Sequence, residues 1–297
     1  MGSHFQNNAS SARRAHAGGH PESDPGFTHA FSRRRQPLCD GGDILSQIIN
    51  LENPSVWPGD LVAYLEEHID LFLGWERQGR DAAVSAQDFG RAIYGLGNVL
   101  KAYALIGWHC TCLTEEEIAA IIAQGMTPPD AQFLGARIAA LHQAGVIARD
   151  DAAKLRAKNQ AHESNRAGRI WFCFFPPHIA GERGIERFFR SWGGEALYNS
   201  HEGDPQTGPI LAGIGIPCLV EAEVPIASLP SVVRLASNIY SRFLVSRGHH
   251  SSKPMDHQDR ATRPLPRESI RRIIRFPELD FIRLTKCDEW RVPLPQS

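Results

Sequence analysis

The sequence predicts an α+β fold. Long stretches carry apolar residues at helical spacing. Between them, Ile170–Phe175 and Ile216–Ile226 are continuous apolar runs of strand length. No repeat recurs at a fixed period, so strands separated by long helical connections describe the chain better than a regular βα alternation.

From Asp43 to about Leu105 the pattern is helical. Ile44, Ile48, Ile49 and Leu51 recur at helical spacing, then Leu61, Tyr64, Leu65, Ile69, Leu71 and Phe72, with Pro58 fitting the first turn of that second helix. A third run, Phe89 to Leu105, sets Ile93, Leu96, Val99, Leu100 and Tyr103 on one stripe. Trp108–Thr111 is aromatic and β-branched enough to close a strand. Thr114-x-x-Glu117 is a capping box that opens a helix through Ile118, Ile121 and Ile122, stopped at Gly125. Asp130 to Gln160 reads as helix. Ile170–Phe175 is a buried strand ended by Pro176-Pro177, and Gly184 to Trp192 a short amphipathic helix. Ile216–Ile226 is a second strand and Ser228–Val245 a helix. Arg260 to Leu284 reads as two short strands with turns at Pro266 and Pro277.

Composition bounds the function. The chain has 297 residues, 32 basic against 33 acidic side chains and 42% hydrophobic residues, enough to bury a sizeable core. A net charge of −1 argues against a protein that coats nucleic acid or an anionic membrane, and no apolar run is long enough for a membrane span. Residues 1–42 read as a disordered tail, with five arginines against two acids before Cys39. A leader read by a specialised export machine is the sharper reading of that tail. No signal-peptide core is expected at the start, and Gln6 argues against the myristoylation that Met1-Gly2 suggests. The six cysteines are too scattered for a disulfide scaffold, which favours a cytoplasmic compartment or a protein exported into a host cell.

The segment Gly107-Trp-His-Cys-Thr-Cys-Leu-Thr-Glu-Glu-Glu-Ile, running on to Gly125, resembles the first motif of poly(ADP-ribose) polymerase-like and diphtheria-toxin-like ADP-ribosyltransferases. There a strand of the form W-H-G-[ST] leads into a helix ending in Gly. The resemblance implies that His109 bonds the adenosine ribose of NAD, that the backbone at Cys110 grips the nicotinamide amide, and that Thr111 assists. Cys110 stands where the family has Gly. Gly168-Arg-Ile-Trp171-Phe172 is similar to the second-strand motif, with Trp171 in place of Tyr and Trp192 or Tyr198 as further stacking partners. Cys218-Leu-Val-Glu221-Ala-Glu223 is similar to the third strand. Leu265-Pro-Arg-Glu-Ser-Ile270-Arg-Arg-Ile273-Ile274 resembles the last motif, and the family spacing puts Asp259 where the catalytic Glu belongs.

Over residues 105–290 the resemblance implies an ADP-ribosyltransferase-like split antiparallel sheet. A helical insertion interrupts it, and the helical region 43–104, or alternatively 126–165, is offered as a target-recognition element. Breaking the nicotinamide–ribose bond passes through an oxocarbenium-like transition state, which a carboxylate stabilises. Glu221 and Glu223 point the same way by period two, so Asp259 with one of them is the expected catalytic pair. The chain is also similar to a bacterial effector branch of the family that modifies ubiquitin on threonine and uses an Asp–Glu pair. The implied partners are NAD and a target protein, ubiquitin among the candidates.

Each candidate has a plainer reading. His109 is also what a satisfied structural histidine looks like at a strand end. His109, Cys110 and Cys112 project to opposite faces of one strand, which does not suit zinc, and Cys110 has no orienting partner as a nucleophile. Glu221 and Glu223 could face solvent on an edge strand, Asp259 could be a loop acid, and Trp192 a packed residue at a helix stop. The six arginines between Arg260 and Arg275 read as a solvated strand face, or as a grip on the NAD pyrophosphate or an acidic patch of a target. Two rivals to a transferase stay open. One is a catalytically degenerate module of the same fold that binds a nucleotide or a partner. The other is an enzyme removing a 2′-phosphate from RNA, which the near-neutral charge does not favour.

Overall fold

The computed structural model describes residues 47–77, 84–251 and 253–294; the tail expected over residues 1–42 lies outside them. β1 is the dipeptide Ile48–Ile49, which lies parallel to the start of β2 (Ala104–Leu113) through Ile48↔Ala104 and Ile49↔Leu105. The helical spacing expected for Ile48, Ile49 and Leu51 is therefore corrected. Two β-branched residues complete a strand edge there, and the Asn50 side chain accepts the Glu52 N–H in a turn that stops any helix.

The remaining N-terminal helices form as their apolar spacing requires. α1 (Gly59–Glu67) follows Pro58, and α2 (Ile69–Glu76) restarts after His68, whose φ of −107° and ψ of 10° break one expected helix into two. α3 (Ala86–Leu100) is capped by Ser85, whose hydroxyl accepts the Asp88 N–H. Its stripe ends at Leu100, because Ala104 and Leu105 already belong to β2.

After β2, α4 (Glu115–Gln124) has both bonds of the capping box and ends at Gly125, at φ 82°. A side chain there would collide with the Leu265 carbonyl at 2.1 Å, so glycine joins the helix end to the 265–267 segment. The stretch 130–160 divides at Gly145 into α5 (Ala131–Gln143) and α6 (Arg149–Ala157). Next come β3 (Ile170–Cys173), α7 (Glu182–Arg190), α8 (Glu195–His201), α9 (Thr207–Ala212), β4 (Ile216–Pro225) and α10 (Val232–Ser246). β5 (Gln258–Ala261), β6 (Ile270–Arg275) and α11 (Leu279–Thr285) close the chain.

The sheet is open, with strand order β5-β3-β2-β4-β6 and antiparallel pairing throughout this path. Side chains alternate, so each strand contributes to two different cores. On one face Leu105, Phe172, Phe174, Cys218, Val220 and Val224 pack under α3 and α10. On the other Trp108, Cys110, Leu219 and Ile274 pack under α7 and α11. A satellite core joins Leu134, Ile138, Leu155, Trp192 and Leu211 of the helical insertion. No helix among the described residues is long and apolar enough to cross a membrane.

Candidate functional site

The four segments that carry the sequence motifs are neighbouring strands, and their register decides which side chains meet. Trp108 pairs with Cys173, so one step along, His109 lies opposite Phe172. Phe172 in turn pairs with Asp259, and His109 with Val220. His109, Phe172 and Asp259 therefore form one transverse row on one face of the sheet. Two strand spacings separate its ends, about 9–10 Å. The His109 and Phe172 rings lie 5.9 Å apart, centroid to centroid. Thr111 shares the His109 face two residues on.

The β2–β3 ladder consists of that single Trp108↔Cys173 pair, beyond which β3 pairs only with β5. Toward Thr111 on β2 and Gly168 on the approach to β3, the two strands part. The His109 imidazole bridges the start of the gap, its Nδ1–H donating to the Trp171 carbonyl at 2.9 Å. That bond fixes the tautomer and leaves Nε2 as an acceptor. Burial lowers the His109 pKa, and the Arg137 charge adds to the lowering against the Trp171 carbonyl, so the ring stays neutral near pH 7. The Phe174 N–H donates to the His257 carbonyl on the β5 side. By alternation, Cys173, Trp108 and then Cys110 turn their backbone groups into the space between β2 and β3. The Cys110 side chain points to the opposite face, under α7, so it does not intrude on that space.

Asp259 is 2% exposed. Its carboxylate accepts the Ser231 N–H at 3.3 Å and the Arg260 N–H at 2.8 Å, with the Arg260 guanidinium 3.7 Å away. A free loop acid is thereby corrected to a buried strand carboxylate, held beneath the start of α10.

The remaining candidates lie elsewhere. Glu221 and Glu223 stand on the face opposite His109 and Asp259, because Glu221 pairs with Trp108 and Glu223 with Ile106. β4 is an interior strand, so the edge-strand reading falls as well. Glu221 is 8% exposed and accepts the Trp108 indole N–H at 3.2 Å and Arg272 N–H groups at 3.2 and 3.1 Å, with Arg271 at 3.3 Å. Arg271 also reaches Glu223 at 3.4 Å. This cluster borders a cavity of about 300 Å³ shared with Ile106, Arg283 and Leu284. Its charges are spent on one another, and the thickness of the sheet separates them from Asp259. An Asp259–Glu pair acting on one ribose is not available in this geometry.

Trp171 also faces away from His109; it is 43% exposed and lies under the Arg260 guanidinium at 5.2 Å, so Phe172 fills the middle of the row instead. Trp192 is fully buried. Its indole N–H donates to Glu117 at 2.9 Å and Arg137 stacks on it at 4.5 Å, which makes it a packed residue and not a wall for a ligand. Tyr198 is likewise buried, beneath Arg187. Five of the six arginines of the 260–275 run serve internal pairs, Arg275 to Glu115 and Arg267 to Glu268 among them, while exposed Arg263 has none among the described residues. A hydrogen bond to Cys173 and burial hold the Cys110 thiol well above its ordinary pKa, the reverse of an activated nucleophile. Among the described residues no group of three or more His, Cys, Asp or Glu converges to hold a metal.

Spacing marks Glu117 only as a capping residue, and does not point to Arg137 or Ser231. Glu117 joins the capping box to Trp192 and Arg137, while Ser231 covers Asp259. Comparison of the chain with protein-family models, curated proteins and solved structures finds no match.

Proposed function

We propose that this chain is a mono-ADP-ribosyltransferase that binds NAD at the parting of β2 and β3 and transfers ADP-ribose to a side chain of a protein, with ubiquitin a candidate acceptor. The observation that carries the reading is the transverse row His109–Phe172–Asp259: two residues from the first and second motif segments, and the acid that precedes the last segment and lies on β5, at the sheet edge opposite β6. The residues fit the dinucleotide. His109 Nε2 is free to accept a ribose hydroxyl, the Cys110 backbone offers an amide-binding pair in the gap, and the Cys110 side chain leaves room because it faces away. NAD supplies a nicotinamide–ribose bond whose cleavage builds positive charge on the ribose. Asp259 is the anion on the right face to stabilise that charge, acting without a second carboxylate. The strand parting between β2 and β3 is the feature that supports the finer expectation of a split sheet.

One observation favours the degenerate module as a second reading: Asp259 is covered, with Ser231 and Arg260 N–H groups already bonded to it. Nicotinamide release from NAD, measured with and without a cell lysate and with labelled NAD to mark acceptor bands, separates the two. The transferase reading expects release and labelling by wild type, abolished in Asp259→Ala and reduced in His109→Ala. NAD binding with no nicotinamide release in any condition selects the module, and no NAD binding by calorimetry removes both.

A further inference from the structure

The parting of β2 and β3 also brings two cysteines together. Trp108 pairs with Cys173, so Cys110 stands one diagonal step from Cys173 on the same face of the sheet. Cys110 belongs to the apolar core under α7, and Cys173 packs against that core. The Cys110 thiol donates to the Cys173 sulfur, which lowers the Cys173 pKa against the opposing effect of burial. Of the five cysteines among the described residues, Cys173 alone is partly exposed. Cys112, Cys218 and Cys287 are buried, and burial raises the pKa of each. A partly exposed thiol with a lowered pKa, beside a second thiol, is what a peroxide-sensitive pair requires. The strands are also unequally held. β2 pairs with β4 along its whole length, whereas β3 meets β2 at one pair and β5 over four.

We propose that Cys110 and Cys173 form a peroxide-driven disulfide that closes the gap between β2 and β3. The Cys173 sulfur attacks one oxygen of hydrogen peroxide. The O–O bond breaks, Cys173 becomes a sulfenic acid, and the other oxygen leaves with the thiol proton as water. The Cys110 sulfur then attacks the Cys173 sulfur, the S–O bond breaks, and the hydroxyl leaves with the Cys110 proton as a second water. Two thiols are oxidised to one disulfide and one peroxide is reduced. Diagonal neighbours in a sheet stand about 7–8 Å apart, while a disulfide holds its Cα atoms about 4.4–6.8 Å apart. The bond therefore forms as β3, the less tightly held strand, moves toward β2. That movement narrows the space into which the Cys110 backbone groups turn, and it displaces the bond from His109 to the Trp171 carbonyl. The gap is open in the reduced chain and shut in the oxidised one. That its occupant is NAD rests on the function proposed above; the dithiol chemistry and the strand closure do not.

The test treats the reduced full chain with hydrogen peroxide, maps disulfides by peptide mass spectrometry and measures NAD binding by calorimetry. Wild type is expected to yield a cross-linked Cys110–Cys173 peptide and to bind NAD about 10-fold or more weakly, with dithiothreitol reversing both. Cys173→Ser keeps its remaining thiols and its NAD affinity through the same treatment. Cys110→Ala stops at a Cys173 sulfenic acid, which dimedone traps. Circular dichroism checks that both variants fold, and the mapping in wild type decides without them. A disulfide mapped to another pair, or no thiol lost at a peroxide dose that oxidises glutathione, overturns the proposal. So does the mapped bond with NAD affinity unchanged. A reduced chain that binds no NAD refutes the NAD reading, and the His109 ring resonances then decide the closure: shifted by oxidation they sustain it, unmoved they overturn it.

Discussion

Replacing Glu221 tests whether the acids of β4 are structural or catalytic. In wild type the carboxylate anchors the Trp108 indole N–H at 3.2 Å and two arginines, all on the face away from His109. Glu221→Ala leaves the buried indole N–H without an acceptor, which costs about 1–3 kcal/mol. Arg271 and Arg272 are 43% and 47% exposed, so they turn to water and add little. The one methylene lost from an 8%-exposed side chain contributes a further ~1 kcal/mol. The sum predicts a destabilisation of about 2–4 kcal/mol, against about 0–1 kcal/mol for Glu223→Ala, whose carboxylate among the described residues pairs with Arg271 alone. Urea denaturation followed by tryptophan fluorescence and circular dichroism measures both, and nicotinamide release per folded molecule is measured alongside. Glu221→Ala is expected to lower the urea midpoint while leaving turnover per folded molecule within about twofold. Unchanged stability with turnover reduced 100-fold or more would refute the separation of the two faces and restore Glu221 as a catalytic acid.

Two other outcomes rest on the same geometry. His257 is buried, and desolvation, with the Arg234 charge behind it, depresses its pKa from 6.5 to about 4. The unfolded chain then takes up its proton first, so stability present above pH 6.5 is lost as pH falls toward 4, by up to about 3 kcal/mol. Denaturant midpoints across that window show this slope, and His257→Asn should flatten it; an equal slope in the variant would assign the effect to other groups. Gly107→Ala places a methyl 2.9 Å from the Phe174 ring and 3.2 Å from the Phe172 Cβ. An overpacking cost of about 1–3 kcal/mol is expected from chemical denaturation, and a variant as stable as wild type would show that the two aromatic rings yield freely.

How much of the fold and of the candidate site is legible in the sequence depends on the range of the interaction involved. The capping box of α4 and the glycine after it are written within twelve residues, and both hold, as do the apolar cores of β3 and β4. Period two also places Glu221 and Glu223 on a common face. It does not say which face, because that is set by pairs such as Trp108↔Glu221 and Phe172↔Asp259, between residues far apart in the chain. β1 reads as helix in the sequence because a two-residue strand has no period of its own, and its partner lies more than 50 residues away. α11 merges into strand and turn expectations because Pro277, just before its start, signals a break but carries no mark of the helix beyond it. Nothing in the sequence joins Cys173 to Cys110, since their neighbourhood is set by the β2–β3 register, a property of the folded sheet.

The proposed dinucleotide site lies at the parting of β2 and β3, against the face that carries His109. Titrating NAD into protein with ¹³C-labelled histidine and ¹⁵N-labelled tryptophan indoles, followed by NMR, tests it most directly. Saturable shifts of the His109 ring resonances are expected, assigned by loss in His109→Gln, while the Trp108 indole, bonded to Glu221 on the opposite face, stays in place. Shifts confined to the Trp108 indole, or a His109 ring unmoved at saturating NAD, would contradict it.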